Sequence, residues 1–417
     1  MTWLSRRRET CRLCGSSSVA LAVPLAPIPA VTPNVGQADE ADLRVTVPLD
    51  LYLCRDCGHL QLFDIINPDV QYNNFRYTTS VSLGLGAHFD RLAEDVIEQL
   101  DAPQGALVVE IGSNDGSLLK AFQRRGLAVL GIDPARQIAE AASAAGVPTL
   151  ATFFTAERAA EIRAEHGPAD IILSNNTLAN LDDLDDVVTG IRHLLKPAGV
   201  FIFETQYGAD VIRHRLIDTI YHEHLSYFLV APLQRFFSRH GLELIDVQPI
   251  VTKGGSIRCS VRRTGSGQVP SDRLVALIAE ERAQGLNRLE TYQAFTREIE
   301  GVATTLAGLL DQARATGARV AGYGASVGSL TLLHRFGLTG LLKAVADDNP
   351  LTEALVGPDY HIPVVSPGWI YANGIDQVLI LAWRYSDPIL ARHQLFLDRG
   401  GKFIIPLPEP RIIGRGI

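Results

Sequence analysis

The sequence predicts an α/β protein in three parts: a small N-terminal four-cysteine zinc module followed by two doubly wound α/β lobes. Three observations predict it. Four of the five cysteines fall in two Cys-x-x-Cys-Gly words, CRLCG and CRDCG. From ALVVEIGSNDGSLL onward, apolar β-branched runs that end in polar turns alternate with helical stretches. A second strand, glycine turn and helix, ARVAGYGASVGSLTLL, begins at Ala318.

Bulk properties agree with this division. A chain of 417 residues exceeds what one hydrophobic core supports. Hydrophobic residues make up 47% and charged residues 20%, which is ordinary for a globular protein. A net charge of -8 argues against non-specific nucleic-acid binding and against a basic membrane-facing patch. No run of about 18 apolar residues reads as a membrane span, and the opening MTWLSRRRET lacks the apolar stretch of a secretory signal. We therefore expect a cytoplasmic protein with reduced thiols, no disulfide framework and no membrane or nucleic-acid partner.

The paired cysteines then need another use. Cys11, Cys14, Cys54 and Cys57 supply four thiolates to one tetrahedral ion, with Zn–S near ~2.3 Å. Gly15 and Gly58 follow each pair and permit the sharp positive-φ turn of a zinc knuckle. Four thiolates fill the coordination sphere, so the metal is expected to hold the module together and do no chemistry. Cys259, in SIRCSVRR, reads as an interior residue.

Beyond the module, LGLGAHFDRLAEDVIEQL reads as an amphipathic helix that Pro103-Gln104-Gly105 ends. Strands follow in ALVVEI, AVLGID, ADIILSNN and GVFIFETQ, with helical stretches between. LELIDVQPIV and SIRCSVRR read as antiparallel strands joined at Lys253-Gly254-Gly255. A helical connector is expected from about Asp272 to Thr316, followed by strands in ARVAGYG, VLILAWRY and KFIIPLP. The divisions are a zinc-binding module at 1–75, a first lobe at 76–268, and a connector with the second lobe at 269–417.

Ligands of doubly wound sheets bind at the carboxyl ends of strands, where the strand order reverses. Glu110-Ile111-Gly112-Ser113-Asn114-Asp115-Gly116 ends the first such strand. Gly112 and Gly116 let a ligand approach the backbone closely. The carboxylates of Glu110 and Asp115 suit a ligand with a positive centre, such as S-adenosylmethionine, better than a pyrophosphate. Asp133 ends the next strand and is placed to accept from ribose hydroxyls. Asn175 or Asn176, at a later strand end, would meet the methionine part or the adenine. GYGASVGS is a second glycine turn that could admit a phosphate at a helix N-terminus. No acid at a later strand end there makes a convincing dinucleotide site.

The densest chemistry is in DTIYHEHLSYF, Asp218 to Phe228. A histidine titrates near neutrality and can take a proton from carbon. A tyrosine hydroxyl can donate to a developing oxyanion, and a glutamate can orient an imidazole or bind sugar hydroxyls. The His-Glu-His spacing lacks the i, i+4 pair of a helical zinc site.

The ordered set of words, CRLCG…CRDCG, RYTTSVS, EIGSNDGSLL, SNNTL, ETQYGADV, IYHEHLSYF, KGGSIRCSV and GYGASVGS, resembles the sugar C-methyltransferases over nearly the full chain. That family adds a methyl branch to nucleotide-linked 4-keto deoxysugars in antibiotic and surface-glycan pathways. The resemblance implies a zinc module, a central Rossmann-like class I methyltransferase domain binding S-adenosylmethionine, and a C-terminal Rossmann-like domain, with the nucleotide-sugar between the lobes. It implies that His224 is the base, with Glu223 beside it, that Tyr221 or a nearby donor steadies the enolate oxygen, and that Asn180 is near the substrate. It assigns Tyr77, Ser80, Tyr207, Lys253, Tyr323 and Ser326 to substrate binding. Departures from the family pattern are Asn180 for a histidine, Gly328 and Glu353 for lysines, and Phe75 for a tyrosine. Two lost cations would weaken a phosphate contact or change which nucleotide is held. Two rivals remain at this point. One is a non-methylating binder of S-adenosylmethionine or nucleotide-sugar on the same frame; the other is a nicotinamide-dependent oxidoreductase using the C-terminal lobe. A monomer or weak homo-oligomer is expected.

Overall fold

The computed structural model describes residues 3–30, 45–72, 75, 77–81, 84–349, 354–357 and 360–415. At the N-terminus, Val19–Val23, Leu51–Cys54 and Leu60–Leu62 form an antiparallel sheet. Its fourth strand is Ser226–Tyr227, which arrives from the central lobe and pairs with Leu60 and Gln61. The Leu62 N–H also donates to the Leu225 carbonyl at 2.9 Å. The zinc module and the residues that directly follow His224 therefore share one sheet.

The central sheet has seven strands in the order Thr149–Leu150, Ala128–Ile132, Leu107–Ile111, Ala169–Asn175, Leu195–Gln206, Ser256–Arg263, Leu242–Ile250. Val108, Val109, Ile171, Ile172 and Phe201 are buried, as expected for strands covered on both faces. All strands run parallel except Ser256–Arg263. The order reverses between Leu107–Ile111 and Ala169–Asn175, so the crevice opens above those two carboxyl ends. The two edge strands read from LELIDVQPIV and SIRCSVRR are antiparallel and extend this sheet. Cys259, in Ser256–Arg263, is fully buried between Phe203 and Val247 on the neighbouring strands.

The expected helix from about Asp272 to Thr316 is two helices, Asp272–Ala283 and Leu289–Ala315. Gly285 breaks it with φ 67°, a left-handed conformation that a helix cannot continue through. The first helix stays with the central lobe. Its buried Glu281 accepts from the Val230 and Ala231 N–H groups at 2.6 and 3.0 Å, satisfying the open N-terminus of helix Val230–Arg239. The second helix buries Phe295, Ile299, Val302 and Leu306 in a core shared with Leu51 and Leu53 of the zinc module and Leu379 and Phe403 of the C-terminal lobe.

The C-terminal sheet has the order Val364–Val365, Val345–Ala346, Val320–Tyr323, Gln377–Ile380, Lys402–Ile405, Arg411–Ile413, parallel apart from the last strand. Among the described residues no helix is long and apolar enough to cross a membrane.

Candidate active site and zinc centre

The four module cysteines converge. Their sulfurs all lie within 4.8 Å of one another, with Cys11–Cys57 at 3.6 Å and Cys14–Cys54 at 3.5 Å. A disulfide would need ~2.05 Å, whereas thiolates on a tetrahedral zinc stand about 3.8 Å apart for a Zn–S bond of ~2.3 Å. Gly15 and Gly58 take φ 72° and 78° and donate to the carbonyls of Cys11 and Cys54, closing both knuckles. The donor set fits structural zinc.

The first knuckle also reaches the central lobe through Arg12. This arginine is 1% exposed. Its Nε donates to Asp182 at 3.0 Å, and its Nη1 to the carbonyls of Leu62 and Leu225. Asp182 also accepts from Arg6 and Arg8. It lies just beyond the short turn Leu178–Asn180, where Asn180 is half-buried with its Oδ1 enclosed and unpartnered among the described residues.

At the first glycine turn, Gly112 has φ 74°, and a Cβ there would stand 2.1 Å from Thr177 Oγ1. At Gly116, φ 72°, it would meet Val147 at 2.9 Å. The turn therefore packs tightly against the strand ends beside it. Asn114, itself left-handed at φ 50°, donates its N–H to Asp133 at 2.8 Å. Asp133 also accepts from the Ala135 N–H. Asn114 and Asp115 are in turn bound by the segment that carries RYTTS. Thr79 N–H reaches Asn114 Oδ1, Asn114 Nδ2 reaches the Tyr77 carbonyl, and Ser80 N–H reaches Asp115, at 2.8, 3.0 and 2.8 Å. Tyr77 and Ser80 thus lie over the glycine turn itself. Glu110 is buried with Oε2 unpartnered among the described residues. Burial, with Asp133 and Asp115 nearby, raises its carboxyl well above the usual range, so a donor or positive centre is what this position lacks.

Asn175 and Asn176 sit at the next strand end. Asn176 Nδ2 donates to Asn175 Oδ1, and Asn175 Nδ2 to Glu204. Glu204 is 2% exposed and paired with His88 at 2.7 Å and Arg258 at 2.8 Å. Burial alone would raise it, but the bonds from His88 and Arg258 hold it below the usual range.

In the YHEH word, His222 donates to the zinc module: its Nε2 lies 3.2 Å from the Pro48 carbonyl, which only accepts, so Nε2 is the N–H. His224 is arranged the other way. Its Nδ1 lies 2.9 Å from the Thr219 carbonyl and its Nε2 3.0 Å from the Tyr221 hydroxyl. A carbonyl only accepts, so Nδ1 bears the proton, and Nε2 keeps a lone pair toward Tyr221. Burial, with the charges of Lys253 and Arg384, pushes His224 down to about 3. Glu223 is buried beside them.

The remaining expected substrate residues divide. Lys253 stands on the turn Thr252–Gly254 near His224. Tyr207 is buried and its hydroxyl donates to Glu281 at 2.9 Å. Tyr323 is buried and donates to Asp348 at 3.0 Å, with His393 at 3.1 Å. Ser326 precedes helix Val327–Arg335, its Oγ 3.3 Å from Ser329. The expectation that no acid follows this glycine turn is corrected. Asp347, directly after strand Val345–Ala346, accepts from the Ala325 N–H at 2.6 Å, the same bond that Asp133 makes with Asn114. The strand is only two residues long, too short for its pattern to mark its end in the sequence. Glu353 lies outside the described residues. Sequence reading missed Thr177, His88, Glu204, Arg12, Asp182 and Arg384. Of these only Glu204 carried a signal, as an acid late in an otherwise apolar strand.

Comparison with known proteins agrees with the geometry. Family models match along the chain: a zinc binding domain at residues 11–72, a methyltransferase domain at 86–247 and a C-methyltransferase C-terminal domain at 251–408. The C-methyltransferase NovU of Streptomyces niveus is 34% identical over 406 residues, 97% of each chain. Among solved structures, the CcbJ methyltransferase of Streptomyces caelestis aligns at 16% identity and a TM-score of 0.34 over 42% of this chain and 90% of its own. The 1,6-didemethyltoxoflavin-N1-methyltransferase of Burkholderia thailandensis aligns at 19% and 0.32 over 42% and 78%. Scores at this level add no weight to the fold, which rests on strand order. With its zinc centre, glycine turn and histidine word in one chain, the protein belongs to the C-methyltransferase family and is an S-adenosylmethionine-dependent enzyme.

Proposed function

We propose that this C-methyltransferase acts on a nucleotide-linked 4-keto (deoxy)sugar, at a carbon next to the ketone. The observation that carries the reading is the tautomer of His224. Thr219 holds the Nδ1 proton, and this leaves Nε2 as the one basic nitrogen, facing Tyr221. A carbonyl makes the neighbouring C–H bond acidic enough for a held imidazole to remove its proton, so a base of this kind fits a keto acceptor. His224 takes the proton at Nε2, and the electron pair moves into the carbonyl to give an enolate. S-Adenosylmethionine, when bound, supplies the methyl on a positive sulfur, and the enolate carbon forms the new bond as the carbon–sulfur bond breaks. The residues that would hold it are Gly112, Asn114, Asp115, Gly116 and Asp133 at the turn, with Glu110, Asn175 and Asn176 behind. Tyr221 orients the imidazole through its hydroxyl. Glu223 would accept from a sugar hydroxyl, and Asn180, Tyr77 and Ser80 would line the substrate side of the site.

The test incubates the zinc-loaded protein with S-adenosylmethionine and a panel of dTDP-, UDP- and GDP-linked 4-keto sugars, deuterated beside the ketone. One added methylene mass with loss of that deuterium is the expected result. The His224→Asn variant is expected to bind the cofactor as wild type does and to lose both readouts. Turnover at the wild-type rate in that variant would remove His224 as the base. No product on any sugar would set the keto-sugar reading aside.

A further inference from the structure

An enolate oxygen is steadied by more than one donor, and the Tyr221 hydroxyl, 3.0 Å from His224 Nε2 in the resting site, supplies at most one of them. Lys253 is placed to be another. It sits between the edge strands in a left-handed conformation, φ 54° and ψ 25°, which a lysine adopts only when its surroundings force it. Arg384, from the C-terminal lobe, donates to the Lys253 carbonyl at 2.6 Å and pairs with Asp218 at 3.1 Å. Gly255, φ 137°, follows the turn so closely against the lobe that a Cβ would stand 2.4 Å from Asp210 Oδ2. The turn is thus pinned from two lobes. The Lys253 ammonium has no hydrogen-bond or ion-pair partner among the described residues. Burial first, and then the charge of Lys253, lowers the His224 imidazole, and Lys253 is also near Glu223 and Glu204. Burial first, then Arg384, lowers Lys253 to about 8 against the pull of those two carboxylates.

We propose that Lys253 is a catalytic residue whose ammonium meets the substrate's carbonyl oxygen and carries the enolate charge, and that Arg384 is the positioning residue that holds it there. The proposal rests on the keto-acceptor reading. As His224 takes the proton and becomes positive, the carbonyl oxygen becomes negative between two cations. The charge created on the base is therefore matched within the cleft. When the carbon gains its methyl group, the carbonyl re-forms and Lys253 is left as it began.

Two measurements on the zinc-loaded full chain test this. With a keto sugar that the wild type methylates, Lys253→Met is expected to lower kcat on the order of 10²–10³-fold, the usual loss for an oxyanion donor. Deuterium release should fall in parallel, with KM changed only a few-fold and cofactor affinity unchanged by calorimetry. A raised KM with kcat and deuterium release preserved would make Lys253 a phosphate anchor and overturn the proposal. Arg384→Gln should lower kcat with KM nearly intact, and Arg384→Lys should recover part of the loss. Without any sugar, competitive acetylation read by mass spectrometry should show Lys253 titrating near pH 8, well below the other lysines. Arg384→Gln should move it upward. If Lys253 titrates with the others, the proposal fails, whatever the substrate is. If Lys253 labels as expected but no keto sugar is methylated, the substrate reading fails and the poised cation stands.

Discussion

Replacing Arg12 with methionine tests how the zinc module is joined to the active site. The methionine retains much of the apolar stem and removes the charge. Four hydrogen bonds are lost at the guanidinium, to Asp182, Gln61 Oε1, Leu62 O and Leu225 O. Breaking a buried ion pair usually costs ~3–5 kcal/mol because the partner is left charged and alone. Here Asp182 retains Arg6 and Arg8 at 2.7 and 2.9 Å, so the low end, about 3 kcal/mol, is the better figure. At roughly 2 °C per kcal/mol for a large domain, the apparent melting temperature should fall on the order of 6 °C. The loss should be local as well as global. Amide exchange should rise at Leu62, whose N–H pairs with Leu225 O, more than in the C-terminal sheet. Zinc content, measured by metal analysis, should stay at one ion per chain, since no cysteine is touched. Asp182→Asn removes the opposite charge and leaves the carbonyl bonds, so it should cost less. If Arg12→Met melts and exchanges as wild type does, the clamp adds nothing and the coupling between knuckle and site is refuted.

Two further outcomes follow from the central lobe. Gly112→Ala places a Cβ 2.1 Å from Thr177 Oγ1 and adds about 1–2 kcal/mol for a left-handed alanine; calorimetry should show cofactor affinity at least ten-fold weaker, and wild-type affinity would mean the turn tolerates a side chain. Glu204 is held below the usual carboxylate range, so it stabilises the fold above the unfolded value of ~4.3 and that contribution is lost as pH falls through its folded value. Glu204→Gln should therefore cost about 3 kcal/mol at pH 7, with the gap to wild type in urea melts closing below pH ~4; a gap of constant size would contradict the charge on Glu204.

The parts of the site visible in the sequence are those in which neighbours along the chain act together. Cys-x-x-Cys-Gly carries its own geometry, because two sulfurs and one left-handed glycine make half a zinc site. The Glu110–Gly116 turn and the strand ends at Asp133 and Asn175 are visible for a similar reason, as the apolar strand pattern stops where the polar turn begins. The tautomer of His224 needs only Thr219 and Tyr221, five and three residues away. What escaped detection joins distant positions. Arg12 and Asp182 are 170 residues apart, and Arg384 and Lys253 are 131 apart; neither pair leaves a periodic trace. Tyr207 and Tyr323 show the converse. A tyrosine in a suggestive word looks available, yet tertiary packing brings Glu281 and Asp348 to their hydroxyls.

The lysine absent at position 328 acquires a physical meaning from the same packing. A Cβ on Gly328 would stand 2.1 Å from the Asp218 carbonyl oxygen, and Thr331 Oγ1 donates to the Ile220 carbonyl at 2.6 Å. Helix Val327–Arg335 thus lies directly on the segment that leads into YHEH, leaving no room for a side chain. A lysine at this position would have to displace the Asp218 carbonyl. Positive charge enters the cleft by another route. Arg384 comes from the same lobe, binds the carboxylate of Asp218, and sets Lys253 beside His224. On the proposed role of Lys253, the C-terminal lobe would act on the chemistry through the backbone it supports, and a lysine introduced at 328 would separate Asp218 from the helix before it added a useful charge.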